Sequence, residues 1–181
     1  SMRTGKRLTL MPDLPFSAQL AWSPNGRQLA ADFGPSIQIW DVTRPDHPAL
    51  SESIPTVHGV PRPDYLLFSP DSRRILTAET EDRRLTMTDI ARHHVQWSVQ
   101  INDLTLGQVA FSPNGNTVAV NSGDPGQGHL TLYRSATGKT GPTAPIQSIG
   151  GIGYLHGGQW LVATAGQSAP AAQLYDAANL Q

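Results

Sequence analysis

The chain has no cysteine and only two lysines among its 181 residues. Without Cys there is no disulfide framework, no thiolate nucleophile and no Cys-ligated zinc, and either redox compartment is open to it. Charge of one sign is scarce as well: 14 Asp and Glu stand against 13 Lys and Arg, a formal charge of −1. That balance lacks the concentrated positive field on which nucleic-acid or anionic-membrane binding depends. No apolar run approaches the roughly 18 residues of a membrane-crossing helix. The N-terminus carries no apolar signal core, and Ser1-Met2 reads as a remnant of tag cleavage. A cytoplasmic location is expected, with a periplasmic or secreted one left open by a native leader that would precede Ser1. Helical periodicity is also missing; residues 89–94 could form one turn at most.

Turn formers are plentiful, with 17 Gly and 15 Pro, as in an all-β chain with many tight turns. Arg outnumbers Lys and Ala, Gly and Pro are frequent, which points to a GC-rich bacterial genome.

Self-similarity decides the architecture. Three segments share one pattern: Trp22-Ser23-Pro24-Asn25-Gly26, Phe68-Ser69-Pro70-Asp71-Ser72 and Phe111-Ser112-Pro113-Asn114-Gly115. Tyr154-Leu155-His156-Gly157-Gly158 is a degenerate fourth copy, and the leading aromatics are spaced by 46, 43 and 43 residues. A second anchor keeps phase with the first: Ile37-Gln38-Ile39-Trp40-Asp41, Leu85-Thr86-Met87-Thr88-Asp89, Leu130-Thr131-Leu132-Tyr133-Arg134 and Ala172-Gln173-Leu174-Tyr175-Asp176.

Each unit reads as four strands. An apolar strand ends at the aromatic, and Ser-Pro-Asn-Gly turns the chain, Pro fixing φ and Gly accepting positive φ. A second apolar strand follows, then a third that alternates with period two and a weaker fourth. Four antiparallel strands per unit of this length make a propeller blade. The expected fold is therefore all-β, with blade one at 14–56, blade two at 60–101, blade three at 104–146 and blade four at 148–177. Residues Lys6–Leu10 read as an outer strand completing a last blade, because Thr4-Gly5-Lys6 matches the Thr137-Gly138-Lys139 that follows a third strand within the chain.

On these turns and strand endings the chain resembles the WD-repeat family, over nearly its whole length. Only Trp40-Asp41 keeps the pair that names the family. The resemblance implies a structural hydrogen-bond set of a His before the first strand and an Asp in the second turn, which blade two matches with His58 and Asp82. It also implies a ring closed by the first strand. Family rings generally hold seven or eight blades. Three readings are open: an excised part of a longer propeller, two copies paired into an eight-bladed ring with outer strands exchanged, and, ranked last, four blades that close alone.

Catalytic signatures give way to plainer explanations. Thr137-Gly138-Lys139-Thr140 has Tyr133 where a P-loop needs Gly, and no helix pattern follows. Gly150-Gly151-Ile152-Gly153 lacks the rest of a dinucleotide fingerprint and reads as an innermost strand that approaches its neighbours closely. The six His, at 47, 58, 93, 94, 129 and 156, fall in no metal-ligand spacing. No Ser, His, Asp order stands out. No cofactor, metal or catalytic residue is expected.

What remains is a binding module. Its partner would be a protein or peptide, or a second copy that completes a larger ring, with neither nucleic acid nor membrane involved. Candidate partner-binding residues lie in loops before the first strands and between the second and third: Phe33, His58, Arg62, Asp64, Tyr65, Arg83, Asp103 and Asp124. Asp13, Asp64 and Asp103 each precede a first strand. The alternative reading is an enzyme-associated or ligand-binding propeller, a catalytic ring or the gate of a hydrolase.

Overall fold

The computed structural model describes residues 19–56, 63–103, 105–124, 127–146, 149–164 and 172–181. They form an all-β array of antiparallel sheets in chain order. Sheet one holds β1 (Leu20–Trp22), β2 (Gln28–Asp32), β3 (Ser36–Asp41) and β4 (Ala49–Pro55). Sheet two holds β5 (Tyr65–Phe68), β6 (Arg74–Glu79), β7 (Arg84–Asp89) and β8 (His94–Gln100). Sheet three holds β9 (Thr105–Phe111), β10 (Thr117–Asp124), β11 (Gln127–Arg134) and β12 (Thr140–Ile146). Sheet four has three strands among the described residues, β13 (Ile152–Leu155), β14 (Trp160–Thr164) and β15 (Ala172–Asp176). Every sheet is an up-and-down meander, and the repetition is consistent with a propeller-like domain. The expected outer strand Lys6–Leu10 lies outside the described residues.

The repeated turn has a repeated hydrogen-bond cause. The Ser23 Oγ accepts from the Gln28 amide at 2.8 Å and lies 2.8 Å from Asn25 Oδ1, which in turn accepts from the Arg27 amide at 2.9 Å. Ser112 and Asn114 repeat this on Thr117 and Asn116, each amide contact being 3.0 Å. Ser69 and Asp71 repeat it on Arg74 and Arg73. The serine thus closes the hairpin, while the Asn or Asp side chain satisfies an amide the turn leaves free. Gly26 and Gly115 take φ of 70° and 71°, and Ser72 holds the same place at 59°. Burial would raise the Asp71 carboxyl, but hydrogen bonds from Ser69 and the Arg73 amide, with Arg74 and Arg73 nearby, bring it below its ordinary value.

The aspartate at the end of a third strand caps the next turn. Asp41 Oδ1 accepts from the Thr43 amide at 2.8 Å and its hydroxyl at 2.6 Å; Asp176 Oδ1 accepts from the Ala178 amide at 2.8 Å. Asp89 takes the Arg92 amide at 3.0 Å and its guanidinium at 2.8 Å. The Thr43 hydroxyl lowers the Asp41 carboxyl, and the Arg92 amide lowers that of Asp89. Depressed carboxylates favour the fold above their unfolded range, and that contribution is lost as pH falls through the folded values.

Apolar clusters join each sheet to the next. Ala30, Ile37, Ile39 and Ile54 of sheet one meet Leu66, Phe68 and Ile75 of sheet two. Leu76, Leu85, Met87 and Trp97 of sheet two meet Leu106, Val109, Val118 and Val120 of sheet three. Leu130, Leu132, Ala144 and Ile146 of sheet three meet Ile152, Leu161 and Ala163 of sheet four. Both faces of an inner sheet are therefore apolar, which explains why second strands read as near-continuous apolar runs.

Candidate functional site

Antiparallel order within each sheet gives the array two rims. One carries the Ser-Pro-Asn turns and the third-strand endings. The other carries the loops before first strands and the turns between second and third. Every described candidate residue falls on this second rim: Phe33 and Arg83 in turns, Asp64 and Asp103 before first strands, Tyr65 at the start of β5 and Asp124 at the end of β10. His58 and Arg62, like Asp13, lie outside the described residues.

Hydrogen bonds between sheets hold this rim. The Tyr65 hydroxyl donates to the Gly107 carbonyl across the boundary of sheets two and three. The amide of Ile152 donates to Gln108 Oε1 at 2.6 Å, and Asn121 Nδ2 donates to the Gly150 carbonyl at 2.9 Å, both across sheets three and four. Burial, with Asp64 beside it, pushes the Tyr65 phenol above its ordinary value. Tyr65 is thereby a tie between sheets as well as a rim residue.

The two loop aspartates tie each first-strand loop to its own sheet. Asp64 Oδ2 accepts from the Thr80 amide at 2.6 Å. Asp103 Oδ2 accepts from the Ser122 hydroxyl at 2.5 Å, and His129 Nδ1 lies 3.6 Å from Asp103 Oδ1. Ser122 and His129 are direct cross-strand neighbours. A Ser, a His and an Asp thus converge, but the wiring is not that of a nucleophilic triad. The Ser122 hydroxyl is buried and donates to the carboxylate, whereas a nucleophile must donate to the imidazole and face a substrate. Sequence spacing could not reveal this cluster, because strand register brings Ser122 and His129 together.

Glu79, at the end of β6, is the strained charge of the rim. Burial pushes its carboxyl up, the neighbouring Asp82 and Asp64 add to the shift, and Arg84 opposes it. A raised carboxyl binds its proton more tightly when folded, so the ionised side chain costs stability at neutral pH, and the cost fades as pH falls through its raised value. Glu79→Gln is expected to gain about 0.5 kcal/mol at pH 7 after solvent screening, roughly 1–2 °C in Tm for a chain of this size. The gain should vanish near pH 3, below the ordinary range of a Glu carboxyl, where Glu79 is protonated in both states; thermal melts at the two pH values measure this. Among the described residues no cluster of three or more His, Asp or Glu has metal-binding geometry.

Two clefts open on the opposite rim, and they are one feature repeated. A cleft of about 540 Å³ is bounded by Gln28, Ser51 and Glu52 of sheet one and by Asp89 to Arg92 of sheet two. The other, of about 480 Å³, is bounded by Thr117, Gly141 and Pro142 of sheet three and by Ala177 and Ala178 after sheet four. Gln28 and Thr117 are equivalent in the repeat, as are Glu52 and Pro142. Between sheets two and three the equivalent position is Trp97, whose indole fills the space and donates to the Ser135 carbonyl at 2.8 Å.

Neither a protein-family model nor a curated protein matches the chain. Chains of solved structures do, 787 of them, and a fold so widely shared carries no activity with it. Among them is Kuenenia stuttgartiensis hydrazine synthase, with a TM-score of 0.70 and 17% identity, the match covering 96% of this chain. The likeness is one of fold. The chain spans 49% of the length of that structure, about half. No described helix is long and apolar enough to cross a membrane.

Proposed function

We propose that the chain is a run of WD-repeat-like propeller blades that serves as a non-catalytic scaffold and binds a protein or peptide partner across its second rim. The observation that carries this reading is the gathering of Phe33, Asp64, Arg83, Asp103 and Asp124 from three consecutive sheets onto one rim. Loops of several blades form one surface there, and the inter-sheet ties from Tyr65, Gln108 and Asn121 preorganise it. Phe33 and Arg83 supply the aromatic and guanidinium groups that dominate binding energy, with aspartates around them to select charge. The arrangement of Asp103, Ser122 and His129 supports a structural rather than a hydrolytic part for that cluster.

Peptide-library selection on the immobilised chain tests the reading. Enriched peptides should lose at least tenfold in affinity on a Phe33→Ala/Arg83→Ala chain, about 1.4 kcal/mol, and keep their affinity for Arg27→Ala on the opposite rim. Peptides that respond to Arg27 instead would refute it.

A further inference from the structure

The two ends of the array expose what its interior buries. Leu66 and Phe68, on the face of sheet two that meets sheet one, are each 6% exposed. Their repeat equivalents on sheet one are Leu20 and Trp22, which are 50% and 60% exposed because no described sheet precedes them. The opposite face shows the same contrast. Ile39, Met87 and Leu132 pair with Ala30, Leu76 and Ala119 in their sheets and are 0%, 0% and 2% exposed under the next sheet. Leu174 holds that place on sheet four, paired with Val162, and is 54% exposed.

Among the described residues, all the large apolar side chains left open belong to these two faces. Leu50 pairs with Trp40 on the face of Leu20 and Trp22, and Leu155 shares the face of Leu174. Exposed apolar patches of this kind mark interaction surfaces. Here the occupant is specified by the chain itself, since the interface made three times inside it joins a face of the sheet-four kind to a face of the sheet-one kind. A copy of the chain carries both.

We infer that these faces are the two halves of one interface, and that two copies of the chain close head to tail into a ring of eight sheets. A head-to-tail contact either closes or propagates, and eight sheets fall within the sizes at which such rings close. The inference concerns the ends of the array and is independent of what the rim binds.

The absence of Cys makes the test clean. The parent chain should sediment with twice the mass of one chain across a dilution series. Trp22→Glu and Leu174→Glu, made separately, should each halve that mass. Both should keep a cooperative unfolding transition, because neither side chain belongs to the clusters inside the chain. A Trp22→Cys/Leu174→Cys chain should oxidise to a covalent pair of copies, and Phe33→Ala should leave the mass unchanged. A single-chain mass at every concentration, a crosslink within one chain, or a ladder of longer assemblies would each overturn the closed pair.

Discussion

Trp97→Ala is expected to be the most damaging single substitution in the chain, costing about 3–5 kcal/mol. The side chain is buried between sheets two and three, where the other two sheet boundaries leave clefts at the equivalent position. Truncation would create a third cleft, and the surrounding strands could collapse into it only in part. It would also remove the indole N–H from the Ser135 carbonyl, leaving that oxygen to Arg74 Nη1 at 3.4 Å, a long contact. The expected loss in Tm is roughly 10 °C for a chain of this size. Trp97→Phe keeps most of the ring and loses the hydrogen bond, so about 1–2 kcal/mol should go. Denaturant titration of the two variants separates filling from bonding. Equal costs would show that the volume of the indole contributes little. Gly138 supports the same packing: at φ +69° its place favours glycine, and a Cβ there would come within 2.7 Å of the Trp97 ring.

This plug was not legible in the sequence, and the reason is general to repeats. Turn chemistry acts within five residues, so Ser-Pro-Asn-Gly announced itself, and the structure places Ser23 and Ser112 on the expected hairpins. Strand alternation acts within a sheet, and β3, β7, β11 and β15 fall on the second anchors. Contacts between units obey neither period. Trp97 meets Ser135 and Tyr65 meets Gly107 because sheets stack, and nothing local to either residue records it.

Bulges are hidden for a related reason. Ser51 and Gln96 are extra residues between paired positions of third and fourth strands, and sheet three has an irregularity at the corresponding place. None is marked by glycine in sheets one and two. The Ser51 hydroxyl instead donates to the Ile39 carbonyl at 2.9 Å. A repeated bulge increases the local twist of the outer strand. It sits beside the two clefts, where the outer strand of one sheet meets the turn of the next.

The candidate site divides along the same line. That Phe33, Asp64, Arg83, Asp103 and Asp124 share a rim follows from counting strands, which alternate direction. That Asp64 is engaged by the Thr80 amide and Asp103 by the Ser122 hydroxyl follows from loop geometry, which counting does not reach. Loops chosen for composition therefore contain two kinds of residue. Some brace the sheets and some face outward, and only the latter can give binding energy without costing stability.

The glycines of the fourth unit supply the other large expectation. Gly150-Gly151-Ile152-Gly153 reads as a place of close approach, and the structure gives that part mainly to Gly150, less to Gly151 and not to Gly153. A Cβ at Gly150 would lie 2.0 Å from the Thr164 carbonyl oxygen, whereas one at Gly153 would meet nothing within 4 Å. The Thr164 oxygen is backbone and cannot swing aside, so Gly150→Ala must displace the entry to β13. Two hydrogen bonds depend on that entry. Asn121, fully buried on β10, donates to the Gly150 carbonyl at 2.9 Å, and the Thr164 hydroxyl accepts from the Gly151 amide at 2.7 Å. Overpacking costs about 1–3 kcal/mol, and a buried amide left without its acceptor about as much again. Gly150→Ala is thus expected to lose roughly 3 kcal/mol, and Gly153→Ala to change stability by less than about 0.5 kcal/mol. Urea midpoints of the two variants, with m-values compared, provide the measurement. The opposite ranking would place the close approach at Gly153 and remove the Asn121 hydrogen bond as a stabilising tie between sheets three and four.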